Sequence, residues 1–299
     1  MGSRGSVGAS ALRWEAKMFR LNVLLLVVPI AISGCVSDGG EDDLGYEENL
    51  SDAWLELQND DGSADSSRCS GVVVPDRGPF DNRIALTFDD GPNLTNTPHV
   101  LDVLAAHGAT GTFFVNGRRV SGQDEWDLLR RMKDEGHIVA NHTTTHPNST
   151  QISLSRFRTE VADTHEVIES LGVDESRRFF RFPFGAANCD TVDVVNEYGY
   201  SVTGWHIDTA DWCFANSRGG VGHCSSGTFR HVPDQYRDDY AGFTLSQARA
   251  NGGGVLLMHD VHSFTANSLD SVLTARENAG FHFVGLDDGT VFPALNGSD

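Results

Sequence analysis

Residues 84–92 of the chain read IALTFDDGP. Residues 84–88 predict a buried β-strand, because a short apolar run bounded by turn residues is typical of the strands of a parallel sheet. Asp89 and Asp90 follow directly, and a Gly-Pro pair then turns the chain. The stretch therefore predicts a buried strand that ends in two carboxylates.

Downstream of this strand, β-type runs alternate with helical ones. Further strands are predicted at residues 111–115, 137–140, 179–182, 201–207, 255–258 and 281–286. Seven strands alternating with helices indicate an α/β fold with a parallel sheet and helical crossovers. The alternation of strands and helices continues over most of this region, which favours one barrel-like domain over two smaller ones. Residues 213–243 interrupt it and are predicted to be a long loop insertion, and Asn267 is predicted to cap the last helix.

Chemically reactive side chains stand at five of the seven predicted strand ends. The motifs there are TFDDGP (87–92), NHTTTH (141–146), RFPFG (181–185), DTADW (208–212) and LLMHD (256–260). In barrels of this kind the carboxyl ends of all strands meet on one face, and functional side chains collect there. The five motifs are therefore expected to form one site.

A divalent metal site is predicted from His142 and His146, which are four residues apart, together with a carboxylate from the first strand. Two histidines and one aspartate leave positions open for water and substrate, as catalytic zinc requires. Of the adjacent Asp89 and Asp90, one can bind the metal while the other stays free as a base. Zinc is the expected ion, and cobalt or nickel also suits this ligand set.

The five motifs, in this order, resemble those of the NodB-homology polysaccharide deacetylases, carbohydrate esterase family 4. The resemblance covers residues 83–286. It implies a distorted (β/α)7 barrel as a single catalytic domain, which agrees with the strand count. It also implies metal-dependent hydrolysis of N-acetyl groups from an N-acetylhexosamine polysaccharide, peptidoglycan or chitin-like, with release of acetate.

The resemblance also implies roles for the metal site and the catalytic base. Asp89 corresponds to the family's general base, and Arg181 to the residue that orients it. The metal ligands of the family correspond to Asp90, His142 and His146.

A second group of roles concerns the general acid and the substrate pocket. His259 resembles the general acid, and Asp211 the residue that tunes it. Trp212 and Leu257 resemble the walls of the pocket for the acetyl methyl group. Phe184 stands where the family commonly has tyrosine, so a backbone N–H contact to the oxyanion would persist there while a hydroxyl is lost.

The N-terminal residues 1–34 are predicted to be a lipoprotein signal peptide. Basic residues precede an apolar run at 21–32, and ISGC follows at 32–35, which resembles a bacterial lipobox. Cys35 is then lipidated, residues 35–82 form an acidic flexible tether, and residues 83–299 form the catalytic domain. The protein is expected to be exported and lipid-anchored to the bacterial cell envelope. An ordinary signal peptide with a chance cysteine is the alternative.

Four further cysteines predict two disulfides, since exported proteins keep disulfides. They are Cys69, Cys189, Cys213 and Cys224, and three connectivities are open to them. The short spacing favours a Cys213–Cys224 bridge, which would leave Cys69 with Cys189.

Charge limits the classes of partner. The chain has 22 Lys and Arg against 42 Asp and Glu, a formal net charge of −20. Nucleic-acid binding is excluded because it needs a basic face, and no protein partner is implied. The expected partners are an N-acetylated polysaccharide and, through the lipid anchor, a membrane. Two other functions stay open, an O-acetyl xylan esterase and a catalytically silent carbohydrate-binding lipoprotein. Among the histidines outside the motifs, His137 is expected at the surface.

Overall fold

One curled sheet with helices outside it forms the core of the protein. The structure, a computed structural model, describes residues 76–215 and 232–297. Within them, eight strands pair in parallel in the order β5-β4-β3-β2-β1-β7-β6, and β8 pairs with the start of β1. The strands are β1 (Arg83–Asp89), β2 (Gly111–Val115), β3 (Ile138–Asn141), β4 (Phe179–Phe180), β5 (Ser201–Val202), β6 (Ile207–Asp208), β7 (Gly253–His259) and β8 (His282–Phe283).

The barrel closes through a strand that is divided in two. The segment predicted as one strand at 201–207 forms β5, which pairs with β4, and β6, which pairs with β7 at the other end of the sheet order. Between them, the Thr203 N–H donates to the Phe180 carbonyl and the His206 N–H to the Val255 carbonyl, each at 2.9 Å. One short segment thus joins both edges of the sheet, and the predicted distorted (β/α)7 barrel is confirmed.

Seven α-helices connect the strands in the described part of the chain. They are α1 (Asn96–Ala106), α2 (Gln123–Asp134), α3 (Leu154–Leu171), α4 (Cys189–Glu197), α5 (Asp211–Phe214), α6 (Tyr240–Asn251) and α7 (Ser263–Asn278). None of them combines the length and the apolar character that a membrane span requires.

Two helix predictions were wrong. The last helix begins at Ser263, with His262 as its N-cap, and Asn267 therefore lies inside the helix and does not cap it. The predicted loop insertion at 213–243 ends inside α6, whose first turn is capped by the Asp239 carboxylate accepting from the Gly242 N–H at 2.8 Å. The apolar residues of these two helices show little helical periodicity, so the sequence pattern does not predict where the helices begin.

Alternation along each strand separates two apolar layers. In β1, Ile84, Leu86 and Phe88 pack outward in the layer shared with the helices, whereas Ala85 packs in the smaller inner layer. Successive side chains of a strand point to opposite faces. Thr87 and Asp89 therefore share the inner face with Ala85. The same rule fixes which motif residues can reach the barrel interior.

The packed domain extends before the predicted boundary at residue 83. Phe80 is buried in the inner layer, and its ring lies 4.5 Å from the His206 ring, centroid to centroid. The His206 Nε2–H donates to the Asp76 carbonyl at 2.8 Å, while Nδ1 accepts from the Val255 N–H at 3.0 Å. His206 therefore ties the segment before β1 to β7.

His137 was expected at the surface and is instead buried. Its Nδ1 accepts from the Gly111 N–H at 3.0 Å, and its ring lies edge-on to Phe113. Burial lowers the pKa of His137, so the ring is neutral and can act as this acceptor.

The N-terminal predictions lie outside the described residues. This applies to the signal peptide, most of the tether, Cys35 and Cys69. Cys224 also lies outside them, in residues 216–231.

Candidate active site

Strand register brings the motif residues to one level at the carboxyl end of the barrel. Asp89 on β1 pairs directly with His259 on β7. His142 follows β3 and Arg181 follows β4, each two residues after a side chain of the inner layer. Alternation therefore aims all four side chains at the barrel interior.

Asp90, His142 and His146 form a cluster with metal-ligand geometry. One ligand atom from each lies within 4.8 Å of the others. The Asp90 Oδ1 is 3.6 Å from His142 Nε2 and 3.4 Å from His146 Nε2. Three protein ligands of this kind leave coordination positions open. The structure thus brings together the three residues predicted as ligands.

The tautomer of His142 suits a ligand. Its Nδ1 lies 2.8 Å from the Arg181 carbonyl oxygen, which can only accept a hydrogen bond. Nδ1 therefore carries the proton, and the Nε2 lone pair faces the Asp90 carboxylate. A backbone carbonyl behind the ring is the usual partner that orients a metal-ligating histidine.

Protonation states in the cluster also suit a cation. Burial lowers the pKa of His146 to about 4, so its imidazole is neutral at neutral pH. Burial alone would raise the pKa of Asp90, but His146, His259 and His142 together hold it below its usual range. Neutral imidazoles and an ionised carboxylate are the forms that bind metal. The residues present therefore fit a divalent ion of the zinc, cobalt or nickel type.

Sequence reasoning missed Asn116, which supports the cluster from β2. Its Nδ2 donates to the Asp90 Oδ1 at 3.1 Å and to the Asp90 carbonyl at 3.3 Å. Asn116 directly follows β2, so its position at a sixth strand end was the available signal.

Asp89 is held by a buried guanidinium. Arg181 Nη1 donates to Asp89 Oδ1 at 2.7 Å and to Thr87 Oγ1 at 2.8 Å. Its Nη2 donates to the Gly204 carbonyl at 2.7 Å, and the guanidinium lies 4.2 Å over the Phe114 ring. The second carboxylate oxygen, Oδ2, lies 3.6 Å from His142 Nε2. Asp89 therefore keeps one fixed oxygen and turns the other toward the metal cluster.

Next to Asp89, on the neighbouring strand, His259 forms a hydrogen-bonded pair with the buried Asp211. The His259 Nδ1–H donates to Asp211 Oδ1 at 2.9 Å, and the His259 N–H donates to Oδ2 at 2.6 Å. Thr265 also donates to Oδ2, at 2.7 Å, a contact that sequence reasoning missed. Burial opposes the imidazolium, but Asp211, Asp90 and Asp89 raise the pKa of His259 to about 10. His259 is therefore protonated at neutral pH.

We expect Asp211→Asn to move the alkaline limb of the pH profile of kcat/KM to lower pH. A raised pKa means that the acid form of His259 is lost only as pH rises toward about 10. Removing an adjacent opposite charge typically lowers such a pKa by about 1–3 pH units, and burial then lowers it further. The measurement is the pH dependence of acetate release by both proteins. An unchanged alkaline limb would contradict the pairing.

The three predicted pocket residues lie around these groups. Leu257 is buried on the inner face of β7, two residues before His259. Trp212 follows Asp211 in α5, and the Trp212 backbone N–H donates to Asp211 Oδ1 at 2.9 Å. Phe184 has φ 59°, a left-handed conformation that is uncommon outside glycine, and its ring lies 4.5 Å from the His146 ring. Their roles as pocket walls and oxyanion contact stay predictions.

Two of the four predicted disulfide cysteines lie in the described residues. Cys189 begins α4 and Cys213 lies in α5, and both are disulfide-bonded. Cys69 and Cys224 lie outside the described residues, so the predicted pairing stays a prediction.

Comparison with known proteins places this site in a family. A family model for polysaccharide deacetylase matches residues 77–203. A chitooligosaccharide deacetylase of Rhizobium leguminosarum bv. trifolii is 37% identical over 195 residues, which cover 64% of this chain and 77% of the relative. The chain belongs to the polysaccharide deacetylase family. The resemblance inferred from the five motifs is thereby confirmed.

Other polysaccharide deacetylases of the family carry peptidoglycan names. A peptidoglycan-N-acetylmuramic acid deacetylase, PdaA of Bacillus subtilis, is 31% identical over 205 residues, 69% of this chain and 70% of the relative. The peptidoglycan-N-acetylglucosamine deacetylase PgdA of Listeria monocytogenes is 34% identical over 226 residues, 73% of this chain. The match spans only 41% of the length of that Listeria relative.

Two solved structures agree with the fold. A structure described as T48 deacetylase with substrate is 30% identical, with a TM-score of 0.54 over 71% of this chain and 90% of that chain. A family 4 carbohydrate esterase from Streptomyces lividans, in complex with acetate, is 25% identical, with a TM-score of 0.53 over 68% and 91%.

Proposed function

We propose that this protein is a metal-dependent N-deacetylase that removes acetyl groups from an N-acetylhexosamine polysaccharide. The observation that carries the proposal is the Asp90–His142–His146 cluster together with Asp89 and His259, which are paired in register on adjacent strands. A base and an acid beside a metal site are what amide hydrolysis requires.

Amide hydrolysis begins with attack of water on the acetyl carbonyl carbon. A divalent metal held by Asp90, His142 and His146 would polarise that carbonyl and lower the pKa of a water toward about 7. Asp89 accepts the proton of the attacking water through the oxygen that Arg181 leaves free. Arg181 holds this carboxylate in position through the hydrogen bond from Nη1 to Oδ1.

Collapse of the tetrahedral species breaks the C–N bond, and the sugar nitrogen must leave as a neutral amine. His259 is protonated at neutral pH and donates its proton to that nitrogen. Because Nδ1–H is committed to Asp211, Nε2 is the nitrogen that gives up the proton. The Phe184 backbone N–H is proposed to donate to the oxyanion, as the family resemblance implies. The products are acetate and the free amino sugar.

The proposed substrate is peptidoglycan or a chitin-like polymer. Relatives carry both peptidoglycan and chitooligosaccharide deacetylase names. The proposed export signal supports peptidoglycan, since a lipid-anchored envelope protein meets that polymer first.

Acetate release from three substrates tests the proposal. Peptidoglycan, chitooligosaccharides and acetylxylan are incubated with the full chain before and after metal removal, and then after restoration of Zn²⁺ or Co²⁺. The proposal expects metal-dependent acetate release from at least one N-acetylated substrate. Release from acetylxylan alone would replace it with the O-acetyl esterase function. No release from any of them, with bound metal verified, would favour the silent carbohydrate-binding lipoprotein.

The lipid anchor is proposed on the sequence of the N-terminal segment. We expect Cys35→Ser to abolish lipid attachment, because only the cysteine thiol can carry the thioether-linked lipid. Mass spectrometry of membrane-extracted protein measures this directly, with Ser33→Ala as a matched control that keeps the cysteine. An unmodified Cys35 in the membrane-extracted wild type would contradict the anchor and favour an ordinary signal peptide.

A further inference from the structure

The loop that carries both histidine ligands is conformationally strained. Thr143 has φ 65° and His146 has φ 58°, so two non-glycine residues adopt the left-handed conformation within four positions. Such conformations are unfavourable for residues other than glycine and persist only where the surroundings impose them. The ligating position of His146 therefore depends on contacts that hold residues 143–146 in place.

Those contacts come from one face of α3. The Glu160 carboxylate accepts the Thr145 N–H through Oε2 and the Thr145 hydroxyl through Oε1, both at 2.7 Å. The Thr144 hydroxyl donates to the Glu160 carbonyl at 3.0 Å and lies 3.0 Å from the Thr164 hydroxyl. One residue of α3 thus contacts two successive residues of the loop, directly before His146.

Glu160 is buried, and glutamate is almost never fully buried unless it is paired. Its carboxylate is satisfied by Thr145 and by the Arg156 guanidinium, whose Nη2 lies 3.0 Å from Oε1. It is absent from the described cluster of ligand atoms formed by Asp90, His142 and His146. A buried carboxylate next to the metal site, yet bound to the loop backbone, points to a positioning task.

We infer that Glu160 is a positioning residue that holds His146 in its ligating conformation by clamping Thr145. Only a carboxylate offers two acceptor oxygens to the N–H and the O–H of one residue. Glutamine offers one acceptor and would turn its NH₂ group toward the other donor of Thr145. The inference rests on the proposed metal site, and it assigns to α3 a part of the metal affinity.

Binding of Co²⁺ to the metal-stripped full chain tests the inference. We expect Glu160→Gln to weaken Co²⁺ binding by about 10–100-fold, as loss of an outer-shell partner typically does. We also expect the visible d–d spectrum of the bound Co²⁺ to change, because His146 would move or leave the coordination shell. Glu166→Gln is the matched control, since Glu166 is exposed on the same helix. The control should match the wild type in affinity and spectrum.

Thr145→Val provides a second variant that keeps the buried carboxylate. It removes the hydroxyl donor and keeps the N–H donor, so a smaller loss of Co²⁺ affinity is expected. Circular dichroism and thermal unfolding of the metal-free proteins establish that each variant is folded. If Glu160→Gln does not fold, Thr145→Val alone decides.

The outcomes separate this inference from the proposed function. The role of Glu160 would be overturned if the folded Glu160→Gln variant kept wild-type Co²⁺ affinity and an unchanged Co²⁺ spectrum. Where Glu160→Gln does not fold, the same result in Thr145→Val would overturn it. The metal site would stand in either case. Absence of Co²⁺ binding by the wild-type chain would overturn the metal site itself. Weakened binding with an altered spectrum, against an unchanged Glu166→Gln control, supports the inference.

Discussion

Asp89→Asn is expected to lower the rate of acetate release by about 10²–10⁴-fold, the usual contribution of a general base. The amide cannot take the proton from the attacking water, although it has nearly the same shape as the carboxylate. Metal content should stay near that of the wild type, because Asp90, and not Asp89, belongs to the ligand cluster. Acetate release and elemental analysis on the same sample measure both effects.

The same variant leaves the Arg181 guanidinium buried without its anion, since Asp89 is the only ion-pair partner of Arg181 among the described residues. Breaking a buried pair by removing one charge typically costs about 3–5 kcal/mol of stability. Rates are therefore compared at a temperature where thermal unfolding shows both proteins to be folded. Asp163→Asn, an exposed aspartate of α3, is the control and should retain wild-type activity. Near-normal acetate release from folded Asp89→Asn would refute the role of Asp89 as the base.

His142→Ala is expected to lose the metal and the activity together. His142 supplies one of only two imidazoles in the cluster, and its Nε2 is oriented by the contact of Nδ1 with the Arg181 carbonyl. Loss of an outer-shell partner typically lowers metal affinity by about 10–100-fold. Loss of a direct ligand should lower it further. Elemental analysis after dialysis and acetate release with added Zn²⁺ check the expectation.

The control for His142→Ala is His99→Ala, because His99 is exposed on α1. It should bind metal and release acetate like the wild type. Full metal occupancy in His142→Ala would show that the ion is bound elsewhere. Lost occupancy with full activity would show that the metal is not required for hydrolysis.

Most of the candidate site could be predicted from strand ends. Asp89, His142, Arg181 and His259 stand next to apolar runs, and a parallel sheet brings the carboxyl ends of such runs together. The period of two along a strand then aims these side chains inward. The positions of these residues at predicted strand ends were therefore enough to predict that their side chains lie together.

The supporting residues could not be predicted in this way. Glu160 lies on a helix, in a segment that reads as an ordinary amphipathic pattern, and Thr265 lies on another helix. Each acts through a contact with a residue distant in sequence, Thr145 for Glu160 and Asp211 for Thr265. His137 was misplaced for the same reason, because its burial depends on a hydrogen bond with Gly111 across the sheet.

Three properties could be read from the amino-acid sequence: the alternating α/β pattern, the strand ends that carry reactive side chains and the resemblance to the family. These properties follow from periodicity and motif order, which are local. The tertiary structure was needed to show that the segment at 201–207 divides to close the barrel, that Asp89 and His259 pair in register, and that α3 binds the loop before His146. Strand register and helix packing depend on all the strands and helices that pack against a segment, so they cannot be predicted from that segment alone.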